Sequence, residues 1–159
     1  MNLTYEQALN RAASLCSASE RCTADIYSKA LGWGLSESDA ERLVAALISE
    51  KFIDEGRYAR AFVNDKYRFQ HWGRTKIRYA LRAKRIADSL IDAALSEVVD
   101  DEDYLDECLA LLRHRLKGMP LPLSPNDRAR LYRFAAQRGF EPSVITKAMS
   151  RCTDSDDDD

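Results

Sequence analysis

Apolar residues recur every three or four positions along most of this chain, which is the spacing of amphipathic helices. No stretch alternates apolar and polar residues for long enough to predict a strand. Residues that begin helices follow one another at short intervals, and they are Thr4, Thr23, Ser36, Asp54, Asp100, Ser124, Pro125 and Pro142. The pattern therefore predicts an all-α protein of about nine short helices.

The predicted helices form three groups of three, and the groups are weakly similar in sequence. The segment "KRIADSLIDAAL" at residues 84–95 aligns with "RGFEPSVITKAM" at residues 138–149, a shift of 54 residues. A third segment, "GLSESDAERLVAAL" from Gly34, fits the pattern about 48 residues earlier with two extra residues. Chance similarity between amphipathic helices is the alternative. Because repeats of this size stack on their neighbours, we expect an elongated, curved array. Its groups span residues 1–52, 53–99 and 100–152, followed by a disordered acidic tail at residues 153–159.

The middle group begins at Asp54, whose side chain is placed to cap the next helix. Helical spacing puts Phe62 and Phe69 on the inner face of that helix. The same spacing puts Ile77 and Leu81 on the inner face of the helix that follows. Tyr58 follows the same spacing on the first of these helices, and the third helix of the group has Ile91, Ala94, Leu95 and Val98 on one side.

Composition and motifs exclude several classes of protein. The apolar runs are too short to cross a bilayer and the N-terminus "MNLTYEQALNR" is unlike a secretory signal, so we expect a cytoplasmic protein. The four cysteines and two histidines are scattered, which predicts reduced thiols and no metal site. No nucleophile–base order or phosphate-binding glycine loop is present, so the sequence predicts neither an enzyme nor a cofactor. Without coiled-coil heptads, we expect a monomer.

Positive charge is concentrated in one part of the chain, residues 57–85, which we call the basic segment. It holds ten Lys or Arg residues and one acid, Asp65, a formal charge of +9 in a chain of net charge −2. Helical spacing aligns Arg74, Arg78, Arg82 and Arg85 in one stripe beside the predicted core positions, so we expect this stripe to face solvent. The candidate partner-binding or DNA-binding residues are Arg57, Arg60, Lys66, Arg68, Arg74, Lys76, Arg78, Arg82, Lys84 and Arg85.

Two interpretations of the basic segment are open at this point. A solvated face without a partner would normally mix charges of both signs, and this segment does not, which favours an anionic partner. Tyr67, Phe69 and Trp72 lie among the basic residues. Exposed rings in such a setting stack on nucleic acid bases, whereas buried rings pack in a core.

The residues "FIDEGRYARAFV" at positions 52–63 resemble the signature of the RecX family of regulatory proteins. In that signature an apolar residue and two acidic positions precede Arg, an aromatic residue and Ala. The resemblance is sharpest from residue 52 to residue 86 and continues through Gly73, Ile77, Leu81, Lys84 and Ile86. Arg85 departs from the family pattern, which has glycine between Lys and Ile. The sequence therefore does not determine where the preceding helix ends.

The resemblance implies three three-helix repeats and a protein that binds the RecA recombinase, especially its filament on single-stranded DNA. Members of the family modulate the ATPase and strand-exchange activities of RecA and the SOS response, usually by inhibition. Single-stranded DNA within the filament is a further expected partner, and the basic segment would face either RecA or DNA. Two alternatives are a helical-repeat module that binds nucleic acid directly and a scaffold for an unrelated acidic partner.

Overall fold

The computed structural model describes residues 2–154, which form nine α-helices, one π-helical turn and no strand. The predicted all-α fold is therefore confirmed. The π-helical turn, Asp65–Phe69, extends α4 directly. The helices are α1 Tyr5–Ala18, α2 Thr23–Gly32, α3 Glu37–Ser49, α4 Glu55–Asn64, α5 Arg74–Ala83, α6 Asp88–Val98, α7 Asp101–Leu116, α8 Pro125–Gln137 and α9 Pro142–Asp154. Most of the predicted acidic tail, residues 155–159, lies outside the described residues, and among the described helices none is long and apolar enough to span a membrane.

Side-chain caps explain where most of the helices begin. The Thr4 hydroxyl accepts a hydrogen bond from the Gln7 backbone N–H, and the Gln7 side chain accepts one from the Thr4 N–H, which completes a capping box. Asp54 Oδ1 accepts a hydrogen bond from the Arg57 N–H at 2.9 Å, and this bond lowers the pKa of Asp54. A helix begins at Thr23 as predicted, but the expectation that Thr23 caps it is wrong, because Cys22 occupies the N-cap position and its side chain makes no capping hydrogen bond.

The three groups share one type of turn after their second helix. Gly34, Arg85 and Gly139 all have a left-handed backbone, with φ of 97°, 62° and 99°. In each turn the next N–H donates to a carbonyl five residues earlier, as the Ile86 N–H does to the Leu81 carbonyl at 3.1 Å. The helix whose end the sequence did not determine is α5, and it ends at Ala83. Arg85 follows in a left-handed backbone conformation that favours glycine.

The chain divides into two compact units. The first unit consists of residues 2–62 and 81–94, and the second unit consists of residues 63–80 and 95–154. In the first unit, the fully buried side chains include Ile26, Leu43, Leu47, Leu81 and Ile91. In the second unit they include Ile77, Tyr104, Leu112, Leu131 and Ile145. The predicted boundaries of three groups at residues 1–52, 53–99 and 100–152 remain a prediction.

The predicted inner face of α4 is wrong in part. Leu81 and Ile77 are fully buried as expected, but Phe62 is only half-buried and Phe69 is 72% exposed. The fully buried Ala59 and Val63 define the inner side of α4, and Tyr67, which is 2% exposed, continues that side at the same four-residue spacing. Phe62 and Phe69 lie off this side, so the core takes two small side chains where aromatic rings were expected.

Two glycines bring backbone segments of the second unit into direct contact. The Gly73 N–H donates to the Arg138 carbonyl at 2.7 Å, and the Thr75 N–H donates to the Gly139 carbonyl at 2.9 Å. A Cβ added at Gly73 would collide with the Gly139 carbonyl group, and a Cβ added at Gly139 would collide with Lys76. Glycine is therefore required at both positions for these hydrogen bonds to form.

We predict that Gly73→Ala lowers the free energy of unfolding by about 2–3 kcal/mol, because the added methyl group meets backbone that cannot move aside. Gly32→Ala is the matched control, since Gly32 has nothing within 4 Å of the added position. It should leave stability unchanged or raise it by up to about 1 kcal/mol through helix propensity. Chemical denaturation measures both, and equal stability of the two variants would contradict the close contact.

Candidate partner-binding surface

The exposed face of α5 is rotated from its predicted position. The buried residues Ile77 and Leu81 define the inner side, so the opposite side passes through Thr75 and Tyr79, and Tyr79 is 79% exposed. Arg74 and Arg78 are half-buried on the flank, whereas Arg82 is exposed. The expectation that all three arginines project to solvent is therefore wrong. Tyr79 was missed, although its position opposite the core residues was available from helical spacing.

Arg74 belongs to an internal network of the second unit. Its guanidinium pairs with Asp101 and with Glu141, where Nη1 lies 3.2 Å from Oε2, and it sits 4.0 Å above the Tyr104 ring. The Arg74 N–H donates to the Tyr104 hydroxyl at 2.9 Å, and that hydroxyl donates to Glu141. Burial opposes the charge of Arg74, but the hydrogen bonds with the two acids outweigh it and raise its pKa. The position of this arginine indicates a structural role.

Two lysines of the basic segment flank Trp72, just after the π-helical turn. The amino groups of Lys66 and Lys76 lie 4.9 Å and 4.4 Å from the centre of the Trp72 ring, one cation–π contact each. Lys66 also lies 3.8 Å from Asp65. Arg68 is exposed and makes no ion pair with any other residue in the range 2–154. Trp72 therefore lies among basic side chains in the structure, as it does in the sequence.

In the first unit, three cations of the basic segment pair with acids. Arg57 donates to Glu20 and to the carbonyls of Lys51 and Phe52, so it ties the start of α4 to the residues before it. The Lys84 amino group and Asp25 are 2.8 Å apart, and this hydrogen bond raises the pKa of Lys84. Arg82 pairs with Asp88 at 2.8 Å, where both side chains are largely exposed. Such exposed pairs contribute little stability and are easily exchanged for another partner.

Two further cations of the basic segment are exposed in the first unit. They are Arg60 and Arg85, and Arg85 has no ion pair within the described part of the chain. The sequence could not separate these residues from the paired ones. The acids that pair with Arg57, Arg74 and Lys84 lie between 27 and 67 residues away in the chain.

The cysteines lie outside the basic segment. Burial raises the pKa of the Cys108 thiol to about 12, which keeps it protonated and weakly nucleophilic. All four cysteines are free thiols. Within residues 2–154, no three His, Cys, Asp or Glu side chains are grouped so that they could hold a metal ion.

Comparison with known proteins agrees with this geometry. Residues 54–95 match the model of the second three-helix domain of RecX, and residues 101–149 match the model of the third. Regulatory protein RecX of Prosthecochloris aestuarii is 28% identical over 145 residues, which are 90% of this chain and 91% of that protein. Regulatory protein RecX of Halorhodospira halophila is 30% identical over 116 residues, covering 73% and 69% of the two chains.

A solved structure supports the same fold. The crystal structure of RecX from Lactobacillus salivarius superposes with a TM-score of 0.82, covering 93% of this chain and 96% of that one at 18% identity. The architecture and the domain matches define an all-α protein built from tandem three-helix domains. The chain belongs to the RecX family of regulatory proteins.

We predict that Arg74→Ala lowers the free energy of unfolding by about 1–3 kcal/mol, because Glu141 loses its cation in a half-buried site. Arg68→Ala removes an equally charged side chain that has no ion pair among the described residues, so it should change stability by less than about 0.5 kcal/mol. Denaturant titration of both variants measures the difference. A neutral Arg74→Ala would show that the network adds no stability.

Proposed function

We propose that this protein binds the RecA recombinase filament on single-stranded DNA and modulates it, most often by inhibiting its ATPase and strand-exchange activities. Through this binding it would limit the SOS response. The observation that carries the proposal is the basic segment, with a formal charge of +9 across residues 57–85 in a member of a family of regulatory proteins.

Electrostatic attraction gives the proposal its physical basis. A filament on single-stranded DNA carries phosphate charge, and a concentrated positive field raises the association rate of a protein with such a target. Arg68 and Arg85 face solvent without an ion pair inside residues 2–154, and Arg82 has only an exposed partner in Asp88. These side chains can contact a partner without the loss of a buried ion pair. The protein would act in the cytoplasm, as a monomer and without a cofactor or a catalytic step.

Direct nucleic acid binding is a second candidate, and it is favoured by the exposed aromatic residues of the second unit. Tyr79 and Phe69 are 79% and 72% exposed, an unusual position for large apolar side chains. Arg68 and Lys76 lie next to them in the chain or on the same helix. Aromatic rings among cations are the usual means of binding single-stranded nucleic acid without base specificity.

The test of the proposed function is charge reversal at three exposed positions, Arg60, Arg68 and Arg82, each replaced by Glu. If each residue contributes about 1 kcal/mol to binding, affinity for a RecA filament on single-stranded DNA falls by at least about 100-fold, and inhibition of the ATPase is lost with it. The matched control replaces the exposed α8 residues Arg128, Arg130 and Arg133 by Glu and should have a much smaller effect.

Both triple variants must retain wild-type helicity, and wild-type inhibition by the Arg60, Arg68 and Arg82 variant would refute the proposed surface. The same titration on bare single-stranded DNA tests the second candidate. Tight binding that weakens steeply with salt, and that Tyr79→Ala reduces, would favour direct nucleic acid recognition. Weak binding to bare DNA with tight binding to the filament would favour RecA as the main partner.

A further inference from the structure

The left-handed turns at Arg85 and Gly139 occupy equivalent positions in the chain, and each faces the start of the second helix of the preceding group. In the second unit the contact is closed, because the Gly139 turn forms backbone hydrogen bonds with Gly73 and Thr75. In the first unit the equivalent partners of the Arg85 turn are Cys22 and Ala24, at the start of α2. Neither of the corresponding backbone hydrogen bonds forms there, although all four residues lie within the described range 2–154.

An open cleft takes the place of that contact in the first unit. It has a volume of about 730 Å³ and is bounded by α2 on one side and by Ala83, Lys84 and Arg85 on the other. The side chain of Lys84 bridges it to Asp25, with 2.8 Å between the two charged groups. Glycine at both positions allows the close approach in the second unit, whereas the equivalent residues of the first unit, Cys22 and Arg85, both carry a Cβ.

The cleft presents groups of both charges. Arg85 is exposed on one edge, Glu41 is exposed on another, and neither has an ion pair within the described residues. Tyr27 and Ser28 add hydroxyl groups to the lining. Glu55 also lines the cleft, and burial raises the pKa of its carboxyl group. A ligand that complements this lining needs a carboxylate for Arg85 and a cation or hydrogen-bond donor for Glu41.

We propose that this cleft docks a short polypeptide segment of a protein partner, with an acidic side chain of that segment paired with Arg85. Polypeptides carry carboxylates, amines and backbone N–H groups within a few residues, so they match a lining of mixed charge. A phosphodiester chain carries regular negative charge, and Glu41 and Glu55 would repel it. The inference rests on the proposed function, in which the partner protein is RecA.

The backbone at Arg85 supports a binding role for this side chain. Its φ of 62° is unfavourable for any residue with a Cβ, and the equivalent positions in the other groups are Gly34 and Gly139. Glycine would therefore adopt the backbone conformation of this turn with less strain than arginine does. Residues held in such conformations often have a function that offsets the loss of stability.

The test is Arg85→Gly, with Lys51→Gly as its matched control. Lys51 is also an exposed cation with a left-handed backbone in the first unit, at φ of 63°, but it does not line the cleft. Both variants should raise the melting temperature of the free protein by about 1–3 °C, because glycine relieves the same backbone strain. Arg85→Gly should also weaken binding to a RecA filament on single-stranded DNA by about tenfold, the loss of one charge-assisted contact. Lys51→Gly should bind like the wild type.

A second variant, Glu41→Lys, reverses the other charge of the cleft without changing the turn, and it should also weaken filament binding. Wild-type affinity of both Arg85→Gly and Glu41→Lys would overturn the proposed cleft while leaving the proposed function intact. Failure of the wild-type protein itself to bind the filament would overturn the proposed function and this inference together. If Arg85→Gly weakened binding to bare single-stranded DNA as much as binding to the filament, nucleic acid would be the ligand and the polypeptide proposal would be wrong.

Discussion

The contact between Gly73 and the turn at Gly139 is the constraint on which the second unit depends. Two hydrogen bonds join these backbones, at 2.7 Å and 2.9 Å, and no side chain could fit between them. The contact fixes the start of α5. It thereby brings Arg74 beside Asp101 of α7 and beside Glu141, the residue before α9. The orientation of α5 then decides which of its residues face the core and which face solvent.

Part of the positive charge in the basic segment belongs to ion pairs within each unit. Arg57, Arg74 and Lys84 pair with acids of their own unit, so part of the charge stabilises the fold and is unavailable to a partner. The remaining exposed cations and the ring of Tyr79 are the side chains that support the proposed function. A high local charge does not by itself identify the residues that bind.

Much of the fold could be predicted from the sequence, because helix starts depend on local signals such as the caps at Thr4, Ser36 and Asp54. The inner face of α4 could not, because the core takes the small side chains of Ala59 and Val63 and leaves the ring of Phe62 half-buried. The candidate surface was predicted only as a segment. Some of its cations form ion pairs with acids that are distant in the chain, as Arg74 does with Glu141 and Lys84 with Asp25. The periodicity within the segment does not show which cations are paired in this way.

In the proposed function, the basic segment is the surface that meets the RecA filament. Hydroxyl-radical footprinting tests this contact, because exposed aromatic side chains react with the radical and lose that reactivity when a partner covers them. We expect Phe69 and Tyr79 to be protected when the protein binds the filament on single-stranded DNA, while Tyr132 in α8 keeps its reactivity. Protection of Tyr132 with unchanged reactivity of Phe69 and Tyr79 would contradict the account and locate the contact in the last group of helices.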